Sequence, residues 1–153
     1  MGPKILAGQD DMVAEWMKKR IPMFEYGSTP YTALGVMNPA GVLLAGILFE
    51  DFRLPNIQVH VAALPRAKWA TRHTLGELFR YPFEQLGCER ISGLVPSRNE
   101  AAAAFDEHLG FKLEGRVRRA LPNGDDVLIY GMLKEECRWL DLGRKRGYTN
   151  RFH

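Results

Sequence analysis

Two short turn sequences set what this chain can fold into. Asn38-Pro39-Ala40-Gly41 and Pro122-Asn123-Gly124-Asp125 each separate two runs rich in strand-forming residues, and proline and glycine at such positions join antiparallel neighbours. The first predicts a hairpin of strands 32–37 and 42–51. The second predicts a hairpin of strands 111–121 and 126–134, with Asn-Gly as its strongest signal. Between them lie a strand at 56–64, a helical pattern at 69–86 and a strand at 89–95. A strand, helix, strand unit of that length implies a local parallel pair. The expected fold is therefore α/β (α+β), a mixed, mostly antiparallel central sheet flanked by helices.

The remaining elements attach to this frame. Strand 42–51 is apolar on both faces and is expected in the sheet interior. Asp10 or Asp11 is placed to cap a helix running to about Arg20, with Val13, Trp16 and Met17 at helical spacing. Pro22 stops it, and residues 23–31 form an aromatic, turn-rich loop carrying Phe24, Tyr26 and Tyr31. That composition suits either a packed connector or a surface over a substrate pocket. Leu75, Leu78, Phe79 and Phe83 give helix 69–86 its apolar stripe, and Pro82 is expected to bend it near residue 78. Ser97 or Asn99 caps the next helix, which Gly110 closes in the left-handed conformation.

At 153 residues, with 46% apolar and 25% charged side chains, the chain is large enough for one core without metals or disulfides. Residues 1–134 are read as a single domain and 135–153 as a C-terminal helix, anchored by Trp139 and Leu140, with a basic tail. Those two side chains would suit a partner such as a second copy if the helix leaves them exposed. The charge of +3 is modest, with Arg144, Lys145, Arg146 and Arg151 crowded near the end, but without interleaved aromatics a nucleic-acid partner is not expected. Cys88 and Cys137 stand alone, so no metal site is expected and a reducing, cytoplasmic setting fits. No apolar run reaches membrane-spanning length, so no membrane partner is expected.

One local run carries a resemblance. Asn99, then Leu109-Gly110-Phe111, then Glu114-Gly115 and Arg118, followed by a strand from Asp126 through Tyr130 and Met132 to Leu133, resembles the acyl-coenzyme A N-acyltransferases known as GNAT domains. The likeness covers about residues 32–134 and is greatest to the branch that acetylates ribosomal-protein N-termini. It implies an enzyme using acetyl-CoA as co-substrate, with no metal and with a small-molecule or peptide amine as acceptor. A domain of this fold that has lost catalysis and serves as a coenzyme A or protein binding module is the alternative.

The resemblance also assigns roles. Coenzyme contacts fall on the strand at Val61, Ala62 and Ala63, on the loop Arg66, Ala67, Lys68, Trp69, Ala70, Thr71 and Arg72, and on Asn99. Loop amides and a helix N-terminus form an anion site of the kind a pyrophosphate needs. The family's glycines before the helix are replaced here by Ala67 and Lys68, which makes a left-handed backbone harder to adopt. Arg66, Lys68 and Arg72 bring positive charge in their place, or are simply solvated.

Acyl transfer to an amine also needs a base, since amines have pKa values of about 8 to 10. His60 and Glu50 are the catalytic candidates on the central strands, with Asp51 nearby and Phe24, Tyr26 and Tyr31 as substrate contacts. A backbone amide near Val61 to Ala63 is the expected oxyanion donor. Seven residues after the motif asparagine many family members place a tyrosine that protonates the departing thiolate. Asp106 stands there instead.

Overall fold

The protein was analysed as a computed structural model that describes residues 2–21 and 24–140. The expected end of the first helix at Pro22, Met23 at the start of the aromatic loop, and the tail bearing Arg144, Lys145, Arg146 and Arg151 lie outside the described residues. So do residues 141–144 of the C-terminal helix expected from Glu135 onward, whose described part opens on a 3-10 turn, Lys134–Glu136.

Seven strands form one sheet in the order β1-β2-β3-β4-β5-β7-β6. They are β1 (Lys4–Leu6), β2 (Tyr31–Met37), β3 (Leu43–Arg53), β4 (Asn56–Ala63), β5 (Arg90–Pro96), β6 (Lys112–Val117) and β7 (Val127–Leu133). Every neighbouring pair is antiparallel except β4 and β5, which run parallel. This is the mixed, mostly antiparallel sheet that the turns predict. The first turn closes as expected, with Asn38 N–H donating to Val42 C=O and Gly41 at φ 84°. The second is longer than a tight hairpin, because β6 stops at Val117 and β7 starts at Val127. Strand β1, too short to show any periodicity, was not foreseen; it pairs on the outer edge of β2.

Side chains alternate along β3 and so divide the core in two. Leu48 faces α1 (Asp10–Lys18) and packs with Val13, Ala14, Met17, Ala33 and Ala62. Ala45, Ile47 and Phe49 face α2 (Arg72–Arg80) and α3 (Glu100–Leu109). Gly46 seats α1 against the sheet: a Cβ there would lie 2.6 Å from Met17 Cγ.

Three expectations about helices are corrected. Asp10 is the first residue of α1 rather than its cap, and its carboxylate accepts from Ala33 N–H, tying helix to sheet. Helix α2 starts at Arg72, not Trp69, because the Thr71 side chain accepts from Thr74 N–H and fixes the helix start. Pro82 acts at its own position: α2 stays regular to Arg80 and then widens into one π-turn, Tyr81–Gln85, with Leu86 N–H reaching Tyr81 C=O. Proline has no N–H to offer Leu78, and a wider turn absorbs the loss. By contrast Asn99 caps α3 by accepting from Ala102 N–H, and Gly110 closes it at φ 112°.

Trp139 and Leu140 are not available to a partner. Both are buried in the main core, and Trp139 Nε1–H donates to Leu109 C=O.

Candidate active site

Strands β4 and β5 pair over only three positions, Asn56 with Arg90, Ile57 with Ile91 and Gln58 with Ser92, and then diverge. The divergence opens a cleft of about 370 Å³, within the range of small-ligand sites. Val59, Val61 and Ala63 line one wall and Gly93 and Val95 the other. Phe105 and Asp106 of α3 contribute from one face of the sheet, and His60 and Ile21 from the side of α1.

The ladder geometry exposes β4's backbone to this cleft. Leu64 N–H donates to Leu44 C=O, so the even-numbered residues of β4 bond to β3 and the odd-numbered ones point away. The peptide groups of Val59, Val61 and Ala63 therefore face the fork, beyond the last β5 partner. Of the three strand positions assigned to the coenzyme, Val61 and Ala63 present backbone to the cleft. Ala62 belongs to the β3 ladder, and its side chain is buried under α1.

Residues 64–71 lead from the cleft to α2. Arg66 adopts φ 62°, so the loop takes a left-handed turn without a glycine. Ala67 N–H closes that turn on Leu64 C=O. Arg66, Lys68 and Arg72 extend to the surface, while Ala67 and Ala70 pack at the core margin. Trp69 is buried at 5% exposure, its ring tilted against Phe105 at 5.6 Å, and is a wall of the cleft rather than the opening of a helix. Asn99 lies on the same cavity.

On the α1 side, His60 Nε2 lies 2.7 Å from Glu50 Oε2 but out of line for a hydrogen bond, so the contact is chiefly electrostatic. Their strands pair Leu48 with His60 and Glu50 with Gln58, which puts the two side chains diagonally on one face. Burial lowers the pKa of His60, and the Glu50 charge opposes that shift. Phe24 packs edge-on against the imidazole at 5.1 Å, and Tyr26 and Tyr31 continue the aromatic row. Tyr26 and Tyr31 donate to Glu15 and Asp11, and these bonds push both phenols up to about 12. The aromatic loop thus meets an acidic face of α1 that no sequence spacing revealed. Asp51 is turned elsewhere, held by Arg53.

The cleft, the basic loop and the start of α2 suit a long anionic thioester. The fork leaves backbone groups of β4 without a strand partner, and the cations Arg66, Lys68 and Arg72 lie on the loop after β4 and at the start of α2. Among the described residues no group of His, Cys, Asp or Glu is arranged to hold a metal ion, and no helix is long and apolar enough to cross a membrane.

Sequence reasoning missed Gly93 and Ile21. A glycine inside a strand is itself a signal of close backbone approach, and Gly93 carries that signal.

The seven-stranded, mostly antiparallel sheet flanked by helices matches the fold of GNAT acetyltransferase structures. Solved structures that match include the spermidine/spermine N-acetyltransferase SpeG from Vibrio cholerae in complex with manganese ions, with a TM-score of 0.71 and 15% identity over 94% of this chain and 96% of that one. A chimera of Vibrio cholerae SpeG and hSSAT matches with a TM-score of 0.72 and 16% identity over 92% and 99%. The crystal structure of a probable acetyltransferase matches at 25% identity and a TM-score of 0.60, over 69% of this chain and 63% of that one. These likenesses support the fold that the resemblance implies and not its assignment to the ribosomal-protein branch. No family model and no curated protein matches the chain.

Proposed function

We propose that this protein is an N-acyltransferase that moves an acetyl (acyl) group from acyl-coenzyme A to a primary amine. The observation that carries the reading is the fork itself, which joins a basic loop and helix start at one end to a half-buried imidazole beside a buried carboxylate at the other. Bound acetyl-CoA supplies a thioester, an acyl group already activated for attack. Val59, Val61 and Ala63 offer backbone groups to its arm, the amide of Val61 or Ala63 faces a developing oxyanion, and Asn99, Trp69 and residues 66–72 hold the remainder.

The acceptor enters from the α1 side, past Phe24, Tyr26 and Tyr31. Asp11 and Glu15 make that approach negative, which draws a cationic amine. The SpeG proteins that share the fold are named for spermidine and spermine, and a small amine suits this entrance. The attacking nitrogen must lose a proton. His60, kept neutral by burial, takes it directly or through one water, and Glu50 stabilises the resulting imidazolium.

The reading is tested by following release of free thiol from acetyl-CoA with a panel of polyamines, lysine and peptide N-termini. Amine-dependent release is expected; none with any acceptor refutes it. Glu50→Gln is expected to lower the rate about tenfold or more. Because Glu50 raises the His60 pKa, its removal should move the ascending limb of the pH–rate profile to lower pH. An unmoved limb would assign the base elsewhere.

A further inference from the structure

Among the described residues one acidic side chain lines the cleft, on the wall opposite His60, and nothing in the transfer described above uses it. Asp106 projects from α3 toward the point where β4 and β5 part. Its Oδ2 lies 3.7 Å from the position a Cβ on Gly93 would occupy, and the Val59 carbonyl lies 3.8 Å from that same position. The carboxyl therefore lies beside Gly93 and the Val59 carbonyl, at the apex of the fork.

We propose that Asp106 is a catalytic residue of the acyl transfer, the acid that protonates the departing sulfur from the wall opposite His60. The inference rests on the acyl-transfer reading. As the amine nitrogen bonds to the acyl carbon, the C–S bond breaks and the sulfur leaves with its electron pair. The sulfur takes the proton of Asp106, and the carboxylate recovers one from water before the next turnover. The amine's own proton leaves through His60 to solvent, so the two proton movements stay on opposite sides of the sheet.

The surroundings favour the neutral acid. Burial, with the Glu107 charge on the same helix, pushes Asp106 up to about 7. From β7 the Tyr130 phenol feels the Asp106 charge and is bonded to Glu107. From β4, His60 faces the same cavity, and no lysine or arginine lines it among the described residues. A carboxyl titrating near 7 is protonated in a large fraction of molecules at neutral pH. It is also a stronger acid than a thiol of pKa about 8.5, so transfer to the thiolate runs downhill. The phenol of the family pattern is thus replaced by a shorter group of different chemistry.

Two measurements test this. In ligand-free protein, carbon-13 NMR of labelled aspartate should show one carboxyl titrating near pH 7, absent in Asp106→Asn; a midpoint near the ordinary aspartate value of about 4 overturns the proposal. In turnover, Asp106→Asn should lose about a hundredfold in kcat with unchanged acetyl-CoA affinity, and the alkaline descending limb should disappear. Asp106→Tyr should move that limb toward the phenol range near 10. A wild type that turns over while Asp106→Asn does so within about threefold, with the limb in place, overturns this proposal alone. A wild type that releases no thiol with any amine overturns the transfer reading and this proposal with it.

Discussion

Gly93→Val is expected to weaken acetyl-CoA binding severely while leaving the fold intact. A Cβ at residue 93 meets its nearest neighbours at 3.7 and 3.8 Å, ordinary contact distances, so Gly93→Ala should be tolerated. The γ-methyls of valine have no such room. They enter the apex of the fork between Val59 and Asp106, where the proposed transfer places the thioester. Valine is well suited to a strand, and β5 keeps its full ladder with β7. Calorimetric titration should show an affinity loss of about a hundredfold or more, close to 3 kcal/mol, with little change in melting temperature. Equal affinity in the valine variant would mean that the ligand does not occupy the fork.

Trp69→Ala should give the largest loss of stability among the cleft residues. The indole is 5% exposed, packs tilted against Phe105 and lies with the α2 side chains in the main core. Removing a buried aromatic side chain costs about 3–5 kcal/mol from lost transfer energy and the cavity left behind. A domain is stabilised by only about 5–15 kcal/mol, so urea unfolding should show a clearly lowered midpoint. Coenzyme affinity should fall too, because Trp69 is a wall of the cleft. A loss below about 1 kcal/mol would contradict the placement of this side chain in the core.

What the sequence made legible was what depends on a few adjacent residues. Asn99 and Gly110 cap α3 as their types require, and Asn38 to Gly41 closes the first hairpin. The parallel pairing of β4 and β5 followed from the helix between them. Features created by tertiary contact were hidden. The separation of β4 from β5 after Gln58 leaves no mark in β4, since Val59 and Val61 read like any buried strand, and its one trace is Gly93 in β5. Asp10 looked like a cap because its carboxylate's partner, Ala33, lies on another element. Trp139 looked available because the carbonyl that receives its indole N–H belongs to Leu109. At the site, His60 and Glu50 were separately visible as titratable groups on central strands, but their contact arises from the β3–β4 register. The acidic face behind Tyr26 and Tyr31 was hidden for the same reason.

The glycine-poor loop was the point at which the family pattern was least kept. Arg66 at φ 62° shows the loop making its left-handed turn without glycine, at a local conformational cost of about 1 kcal/mol. Direct calorimetric titration of the wild-type protein with acetyl-CoA is therefore the measurement closest to the central claim. Saturable one-site binding is predicted, accompanied by a rise in melting temperature that grows with ligand concentration. Neither heat nor stabilisation at millimolar acetyl-CoA would contradict the claim that the fork between β4 and β5 is a coenzyme site.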